Sequence, residues 1–299
     1  MDISVIIVNY NVEEYIIPCI QSIYKHSLSN LDFEIIVIDN NSRDGSVNSL
    51  KNNFSGLKII QNDENMGFSR AVNKAFKYCD GKYVLILNPD TLFVEDSLNK
   101  LFRVAENLKD FGAVGPRLIS KNMDHQLSFW RDPSIFNVFL SLTHLDAFNF
   151  KKNYRNEKFN DLKQVETISG AVIFTPHIIF KSLGGLNEQL FWMEDIDFCV
   201  RSRARNKPIY FTSVTKIIHY VGKSSKKNFK VSISNQLASK VLYFKIHHTK
   251  FSFIIVATIT LIIATIKLII HFLLFPFSNL SQKKFFGYAF AIRRIFLNY

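Results

Sequence analysis

The sequence predicts an α/β fold built on a doubly wound, mainly parallel sheet. Short apolar runs alternate with segments of helical period, and polar residues follow each run. Because the runs are continuous and do not alternate with polar residues, each resembles a strand buried on both faces of a parallel sheet. The four runs are residues 3–8 (ISVIIV), 33–38 (FEIIVI), 57–60 (LKII) and 83–87 (YVLIL).

The segments between these runs carry apolar residues at helical spacing, which gives the order βαβαβαβ. Residues 1–8 include Asp2 and lack both a basic n-region and a small-residue cleavage site, so we expect a first strand there and not a signal peptide. The apolar positions are Ile16, Ile20 and Ile23 in the first helix, Val47 and Leu50 in the second, and Phe68, Ala71, Val72, Ala75 and Phe76 in the third.

Asparagine and aspartate follow the strands at the edge where parallel strands end and where such sheets bind ligands. Carboxylates and amides can bind a nucleobase or ribose, and a carboxylate beside phosphates suits a divalent cation. The alternative is that these residues only form turns. No Gly-x-Gly-x-x-Gly or Gly-Lys-Ser/Thr motif is present, which disfavours a dinucleotide site and a P-loop. The polar groups are Asn9, Tyr10 and Asn11; Asp39, Asn40, Asn41 and Ser42; Asn62 and Asp63; and Asn88 and Asp90.

A second cluster, residues 191–201, places three carboxylates within four positions. Helical spacing pairs Asp197 with Arg201, which indicates a structural ion pair. Asp195 lies on another side of the helix without such a partner, just after an aromatic approach, and is the candidate general base. Glu194 has a simpler interpretation, a carboxylate at a helix N-terminus.

The net charge of +12 is unevenly distributed. Residues 201–299 contain 17 of the 37 Lys and Arg and no acidic residue, so this part of the chain favours a polyanionic partner. Residues 251–275 are mainly apolar, carry Lys267 as their single formal charge, and are long enough to cross a bilayer core of roughly 30 Å, which favours an anionic membrane surface over nucleic acid. The three scattered cysteines indicate neither disulfides nor a zinc site.

The arrangement of the apolar segment remains open. Basic residues on both sides favour a cytoplasmic location for both flanks. Thr260, Lys267 and His271 fall on one polar stripe, which favours an in-plane or re-entrant helix, although a single lysine can also snorkel from a spanning helix. A buried helix of a soluble core is the third alternative.

The order of these motifs along the chain resembles that of the family 2 inverting glycosyltransferases of the GT-A fold, and among them the rhamnosyltransferase-like subgroup. The similarity covers about residues 3–225. It rests on residues 5–11 (VIIVNYN), 37–46 (VIDNNSRDGS), 62–73 (NDENMGFSRAVN), 87–90 (LNPD), 184–188 (GGLNE), the 194–201 block, and His219 with Gly222 and Ser224.

The resemblance implies transfer of a sugar from a nucleoside diphosphate donor, UDP or dTDP, and assigns roles to individual residues. Asp195 would be the catalytic base. Asp90, with His219, would bind Mg²⁺ or Mn²⁺, while Asn88 stands at the first position of an Asp-x-Asp-like motif. The residues implied in donor binding are Asn9, Tyr10, Asn11, Asp39, Asn65 and Asn88.

The expected organisation is a GT-A catalytic domain at 1–225, a basic linker helix at 226–250 and a membrane-associating segment at 251–299. We expect a membrane-attached enzyme at the cytoplasmic face that acts on a lipid-linked glycan, with no nucleic acid partner. Residues 118–165 are expected to contribute acceptor specificity. The alternative is a non-catalytic nucleotide-sugar-binding or assembly subunit of a membrane complex.

Overall fold

The computed structural model describes residues 1–27, 31–143, 145, 162–220 and 229–298. The chain forms two compact units. The first, the sheet unit, comprises 1–132, 157–188 and 194–224, and the second, the helical unit, comprises 133–156, 189–193 and 225–299. Residues 144 and 146–161, within the segment expected to contribute acceptor specificity, lie outside the described residues, as do Gly222 and Ser224.

The sheet unit is built on a nine-stranded sheet with the order β3-β2-β1-β4-β10-β6-β11-β5, in which β8 also pairs with β11. Strands β7 and β9 form a separate pair. The strands are β1 (Ile3–Asn9), β2 (Phe33–Asp39), β3 (Lys58–Gln61), β4 (Tyr83–Leu87), β5 (Thr91–Phe93), β6 (Ala113–Ile119), β7 (Phe129–Trp130), β8 (Leu162–Val165), β9 (Thr167–Ile168), β10 (Val172–Pro176) and β11 (Ile209–His219).

The first four strands are parallel, as the sequence predicts. All seven residues of β1 and all five of β4 are buried, because helices cover both faces of the sheet at these strands. The prediction that every run is a buried strand is wrong for β3. Lys58 and Gln61 are exposed because β3 is the edge strand, with a neighbour on one side only.

The helices of the sheet unit confirm the predicted periodicity. In α1, Ile16, Ile20 and Ile23 are completely buried, and in α3 the same holds for Ala71 and Val72. The apolar face of α1 belongs to the core built on the parallel strands, and α3 packs against β1 and β2. The helices are α1 (Glu13–His26), α2 (Ser46–Asn53), α3 (Phe68–Phe76), α4 (Ser97–Asn107), α6 (His177–Ser182) and α7 (Glu194–Arg203), with α5 belonging to the helical unit.

The sheet changes direction after β4. Strand β10 is antiparallel to both β4 and β6, β11 runs parallel to β6, and β5 is antiparallel to β11. The sheet is therefore mixed, and the amino end of β10 lies at the same edge as the carboxyl end of β4, where Val172 pairs with Leu87.

The helical unit consists of α5 (Ile135–Thr143), α8 (Phe229–His247), α9 (Lys250–Leu273), a short 3₁₀ turn (Phe275–Phe277) and α10 (Asn279–Asn298). Helix α9 is long and apolar enough to cross a membrane by length and composition: the mean hydropathy of its most apolar window is 2.7, and 17% of that window is buried. It is a candidate for membrane association.

The polar stripe of α9 does not form a water-facing surface. Thr260 is completely buried, the Lys267 ammonium lies 5.9 Å from the centroid of the Tyr288 ring of α10, and His271 stacks on that ring and contacts Ser281 Oγ at 3.3 Å. Lys267 and His271 therefore contact α10, and the in-plane or re-entrant arrangement of α9 stays a prediction.

Candidate active site

The sheet topology brings the predicted site residues to one edge of the sheet unit. Asn9 pairs with Asp39 at the ends of β1 and β2, and Ile7 of β1 pairs with Leu87 of β4. The next residue, Asn88, donates its backbone N–H to the carbonyl of Ala171 at 2.9 Å, which connects this edge to the start of β10. The ends of four neighbouring strands therefore meet here.

A buried network connects the ends of β1 and β2. The Asn9 amide nitrogen donates to Asp39 Oδ1 at 2.6 Å, to Ser42 Oγ at 3.1 Å and to Ser46 Oγ at 2.7 Å. Asp39 Oδ2 also accepts from the Ser42 backbone N–H at 3.1 Å. Asn9 is completely buried, and its Oδ1 accepts no hydrogen bond from the described residues. The network fixes the Asp39 carboxylate and leaves one buried acceptor available.

The loops above this network hold Tyr10, Asn11 and Asn65. Asn11 adopts a left-handed conformation (φ 53°), which asparagine tolerates better than most residues, and its Oδ1 accepts from the Arg43 backbone N–H at 2.7 Å. Tyr10 is 43% exposed, and Asn65 Oδ1 accepts from the Gly67 N–H at 3.0 Å in a local turn. Tyr10 has the exposure that stacking on a flat ligand requires, whereas Asn11 and Asn65 stabilise the loops.

A second series of hydrogen bonds joins the loops that follow β2 and β3. Asn62 donates from Nδ2 to Asn40 Oδ1 at 2.8 Å, and Lys74 donates to Asn62 Oδ1 at 2.6 Å. Asn40 in turn donates to the Gly67 carbonyl at 3.3 Å. These amides, which the sequence placed at the edge, hold the β2 and β3 loops together and bring a lysine close to them.

Asp90 and His219 are brought together by the pairing of β5 with β11. His219 pairs with Thr91, and its Nε2 lies 3.4 Å from Asp90 Oδ1. Both side chains are largely buried, with 11% exposure for Asp90 and 14% for His219. Gln126 fixes the strand end by donating to the His219 carbonyl at 2.8 Å.

A carboxylate oxygen and an imidazole nitrogen at this separation form a donor pair that suits Mg²⁺ or Mn²⁺. Among the described residues, no group of three or more His, Cys, Asp or Glu side chains is arranged to hold a metal ion. An ion at this pair therefore needs further oxygen ligands from water or a bound ligand. Asn88, two residues before Asp90, is half-buried. Its backbone N–H donates to the Ala171 carbonyl, and its backbone carbonyl accepts from the Thr91 hydroxyl.

Asp195 lies at the start of α7 and faces the amino end of β10. Its Oδ2 accepts the Gly170 N–H at 2.8 Å and its Oδ1 accepts the Ile196 N–H at 2.8 Å. The sequence predicts no ion-pair partner for this side chain, and the described residues give it none; its two hydrogen bonds come from backbone N–H groups. Burial raises the pKa of the Asp195 carboxyl, and the two backbone N–H groups oppose that shift.

The two flanking carboxylates behave differently. Asp197 is completely buried and accepts from Arg201 Nε at 2.7 Å, which confirms the predicted ion pair. Arg201 also donates to the carbonyls of Leu183 and Gly185. Glu194 Oε2 is buried without a hydrogen-bond partner among the described residues, and burial together with the Asp195 charge raises the pKa of this carboxyl well above its usual value.

Comparison with known proteins identifies the family of the chain. Residues 4–176, more than half of the chain, match the glycosyl transferase family 2 domain. The chain belongs to glycosyl transferase family 2. Its fold is the GT-A glycosyltransferase fold, and the chain is a transferase enzyme with relatives in glycan biosynthesis.

Two curated relatives extend over most of this glycosyltransferase. The low-salt glycan biosynthesis hexosyltransferase of Haloferax volcanii is 26% identical over 226 residues, covering 73% of this chain and 67% of that protein. The N-acetylglucosaminyl-diphospho-decaprenol L-rhamnosyltransferase of Mycobacterium tuberculosis is 22% identical over 213 residues, covering 65% and 68%. Two other relatives are much longer, and this chain spans 18% of each.

A solved structure supports the fold. The mannosyltransferase of Pyrobaculum calidifontis, determined with GDP-Man and Mn²⁺, aligns with a TM-score of 0.57 at 15% identity, covering 99% of this glycosyltransferase and 86% of that chain.

Two residues that hold parts of this glycosyltransferase in place, Gly170 and Asn73, have no role predicted from the sequence. Gly170 donates to Asp195, and a Cβ at Gly170 would lie 3.1 Å from both Asp195 Cβ and Oδ2. Asn73 links α3 to the Gly184–Gly185 turn through the Leu186 backbone, with hydrogen bonds of 2.8 and 2.9 Å. The position of a glycine just before a strand was the only feature of the sequence that indicated a role for Gly170. Nothing in the sequence around Asn73 indicates that it contacts Leu186.

Proposed function

We propose that this glycosyltransferase transfers a sugar from a UDP or dTDP donor to a hydroxyl group of a lipid-linked glycan, with inversion at the anomeric carbon. One observation carries the proposal. Asn9 and Asp39 end β1 and β2, Asp90 follows β4 and contacts His219 at the end of β11, and Asp195 of α7 accepts from Gly170 just before β10, so all lie at one edge of the sheet unit. Nucleotide binding, diphosphate binding and proton removal can therefore occur at one site.

The nucleoside half of the donor fits the β1 and β2 ends. Asn9 Oδ1, buried without a donor among the described residues, can accept from a base N–H or a ribose hydroxyl. Asp39, held by Asn9 and Ser42, can accept a further hydrogen bond, and exposed Tyr10 can contact the base. Asn11 and Asn65 would shape the loop that closes over it.

The diphosphate half fits Asp90 and His219. These residues would hold Mg²⁺ or Mn²⁺, which, when bound, neutralises the charge that develops on the leaving diphosphate. Asn88, beside Asp90, is an uncharged neighbour that can donate to a phosphate oxygen. The Pyrobaculum calidifontis mannosyltransferase was solved with a nucleotide sugar and Mn²⁺, which supports this assignment.

Asp195 would act as the general base. Its carboxylate takes the proton of the acceptor hydroxyl while the acceptor oxygen bonds to the anomeric carbon and the bond to the diphosphate oxygen breaks on the opposite side. Burial raises its pKa and so strengthens it as a base, while the Gly170 and Ile196 N–H groups keep the ionised form accessible. The presence of this residue argues against a non-catalytic assembly subunit.

A relative's name supports the proposed acceptor, and the basic, apolar tail supports the proposed location. The Mycobacterium tuberculosis relative is named for a diphospho-decaprenol-linked acceptor, and residues 201–299 of this chain combine 17 basic residues with an apolar helix. We therefore assign residues 1–225 to catalysis, 226–250 to a basic linker helix and 251–299 to membrane association, with the catalytic domain at the cytoplasmic face.

A donor screen tests the proposal. The full chain in neutral detergent is heated with UDP, dTDP or GDP, with and without Mn²⁺, because a ligand that binds only the folded state raises the melting temperature. We expect UDP or dTDP to stabilise the wild type more with Mn²⁺ than without. Asp90→Asn should lose the Mn²⁺ increment, while Asp80→Asn, an exposed carboxylate elsewhere, should keep it. No stabilisation by any nucleotide would refute the proposed donor.

A further inference from the structure

The helical unit contains a cavity of about 200 Å³ that the donor and acceptor chemistry does not use. It lies among α5, α8, α9 and α10, within the one compact unit. Its volume is below the roughly 300–1,000 Å³ of sites for drug-sized ligands, so it suits a small group and not a nucleotide sugar. The lining residues are Ser141, Leu142, Ile233, Gln236, Leu237, Lys240, Ile263, Ala264, Lys267 and Tyr288.

Two lysines make the lining of this cavity positively charged. Lys240 of α8 donates to Ser141 Oγ at 2.9 Å, and Lys267 of α9 lies 5.9 Å from the centroid of the Tyr288 ring. The four lining helices contain no Asp or Glu. Two ammonium groups with a neighbouring hydroxyl, amide and phenol form a set of donors that matches the oxygens of a phosphate group.

The remaining walls indicate what the phosphate is attached to. Leu237, Ile263 and Ala264 supply apolar surface beside the lysines. Lys267 is six residues before the end of α9, about 9 Å along the axis, so a membrane-associated α9 would carry it at the depth of the headgroup boundary. Inorganic phosphate uses the cations only, whereas an alkyl phosphate uses both the cations and the apolar wall.

We propose that this cavity binds the phosphate group of an acidic lipid, with the adjoining part of the acyl or prenyl chain against its apolar wall. The site is separate from the sheet-edge site and would make the enzyme selective for acidic lipid. The inference rests on the proposed membrane association of the tail.

The binding test uses the full chain in neutral detergent and three probes: monododecyl phosphate, inorganic phosphate and dodecyl glucoside. Melting temperature is followed as each probe is titrated. We expect monododecyl phosphate to half-saturate at a concentration at least about tenfold below that of inorganic phosphate, because burying about two methylene groups against the apolar wall contributes about that much. Dodecyl glucoside should have no effect, because it lacks the phosphate that makes the charge-assisted hydrogen bonds. Equal affinity for the two phosphates would overturn the lipid assignment.

Matched variants locate the site. Lys240→Gln and Lys267→Gln should each weaken monododecyl phosphate binding roughly tenfold or more, while Lys283→Gln, an exposed lysine of α10 outside the lining, should stay within about twofold. Lys240→Arg and Lys267→Arg should retain binding, which separates a loss of charge from a loss of folding. Ala264→Phe, which fills the cavity, should abolish binding. Unchanged affinity in these variants, or an equal loss in Lys283→Gln, would refute the site.

Vesicle flotation separates this inference from the proposed membrane association. Wild type and both glutamine variants should float with neutral phosphatidylcholine vesicles, and all should float more when 20% phosphatidic acid is added, because the other basic residues of the tail remain. The increase should be clearly larger for the wild type and Lys283→Gln than for either glutamine variant. If no variant floats with any vesicle, membrane association is wrong. If all float alike on acidic vesicles, the cavity proposal is wrong.

Discussion

Replacing Gly170 with alanine perturbs the proposed base without changing its carboxyl group. The added Cβ would lie 3.1 Å from Asp195 Cβ, 3.1 Å from Oδ2 and 3.3 Å from Cγ. These separations are a few tenths of an ångström shorter than the roughly 3.5–4.0 Å of comfortable contacts between carbon atoms. Asp195 must therefore move away, and its 2.8 Å hydrogen bond from the Gly170 N–H lengthens.

The size of the effect follows from that displacement. A misplacement of about 1 Å can cost roughly a hundredfold in rate, so a shift of about half that amount should cost roughly tenfold. The Gly170 N–H stabilises the ionised carboxylate and lowers its pKa, so a longer bond raises the pKa further. Because the base acts only when ionised, the acidic limb of the pH–rate profile should move to higher pH.

The assay is kcat against pH for sugar transfer by Gly170→Ala and wild type, with donor affinity measured separately. We expect the rate loss to be largest at low pH and partly recovered at high pH, with donor affinity unchanged. Gly56→Ala is the control: it adds a methyl group in open space at a position with φ of +86°, so it lowers stability without altering the profile. A wild-type rate and profile for Gly170→Ala would refute the role of this contact.

Three further predictions concern stability. Burial raises the pKa of Glu194 above its ordinary 4.5, so the folded chain keeps a proton that the unfolded chain releases, and stability falls as pH rises above that value. Glu194→Gln cannot titrate, so its free energy of unfolding relative to wild type should rise by about 1 kcal/mol or more between pH 4.5 and 8; a flat difference would contradict this. Asn9→Ala removes the side-chain amide that donates to Asp39, Ser42 and Ser46, and should lower the free energy of unfolding in urea by about 2–3 kcal/mol. A loss under about 0.5 kcal/mol would show that this network does not stabilise the fold. Arg201→Ala leaves the buried Asp197 carboxylate uncompensated and should cost about 3–5 kcal/mol, with partial recovery in Arg201→Lys.

The parts of the fold that depend on local pattern could be predicted from the sequence. Burial on particular faces leaves a pattern of apolar residues in the sequence. This pattern appears as the apolar runs of β1, β2 and β4 and as the helical spacing in α1 and α3. The run at β3 looks the same, yet it forms the sheet edge, because strand order depends on pairings that the run itself does not encode.

The same distinction applies to the site. The Asp197 and Arg201 pair follows from helical spacing alone. The Asp90 and His219 contact depends on β5 pairing with β11, and the Asp195 hydrogen bond depends on where β10 begins. Only the resemblance suggested a common role for these residues, since their contacts join distant parts of the sequence.

The division into units shows a further limit of local pattern. Residues 133–143 lie far from the tail in sequence, yet α5 packs with α9 in the helical unit. In the stripe of Thr260, Lys267 and His271, the last two side chains contact Tyr288 of α10. The spacing of polar residues identifies a helix face, but it does not identify the helix or the solvent that this face contacts.

The most direct test of the catalytic role is a comparison of donor binding and sugar transfer in Asp195→Asn. The variant keeps an oxygen that can accept the Gly170 N–H, so the fold and the donor site should remain. We predict donor affinity within about twofold of wild type and a transfer rate lowered by roughly a hundredfold to ten-thousandfold, the range for loss of a general base. Transfer at nearly the wild-type rate, with donor affinity unchanged, would contradict the assignment of Asp195 as the base.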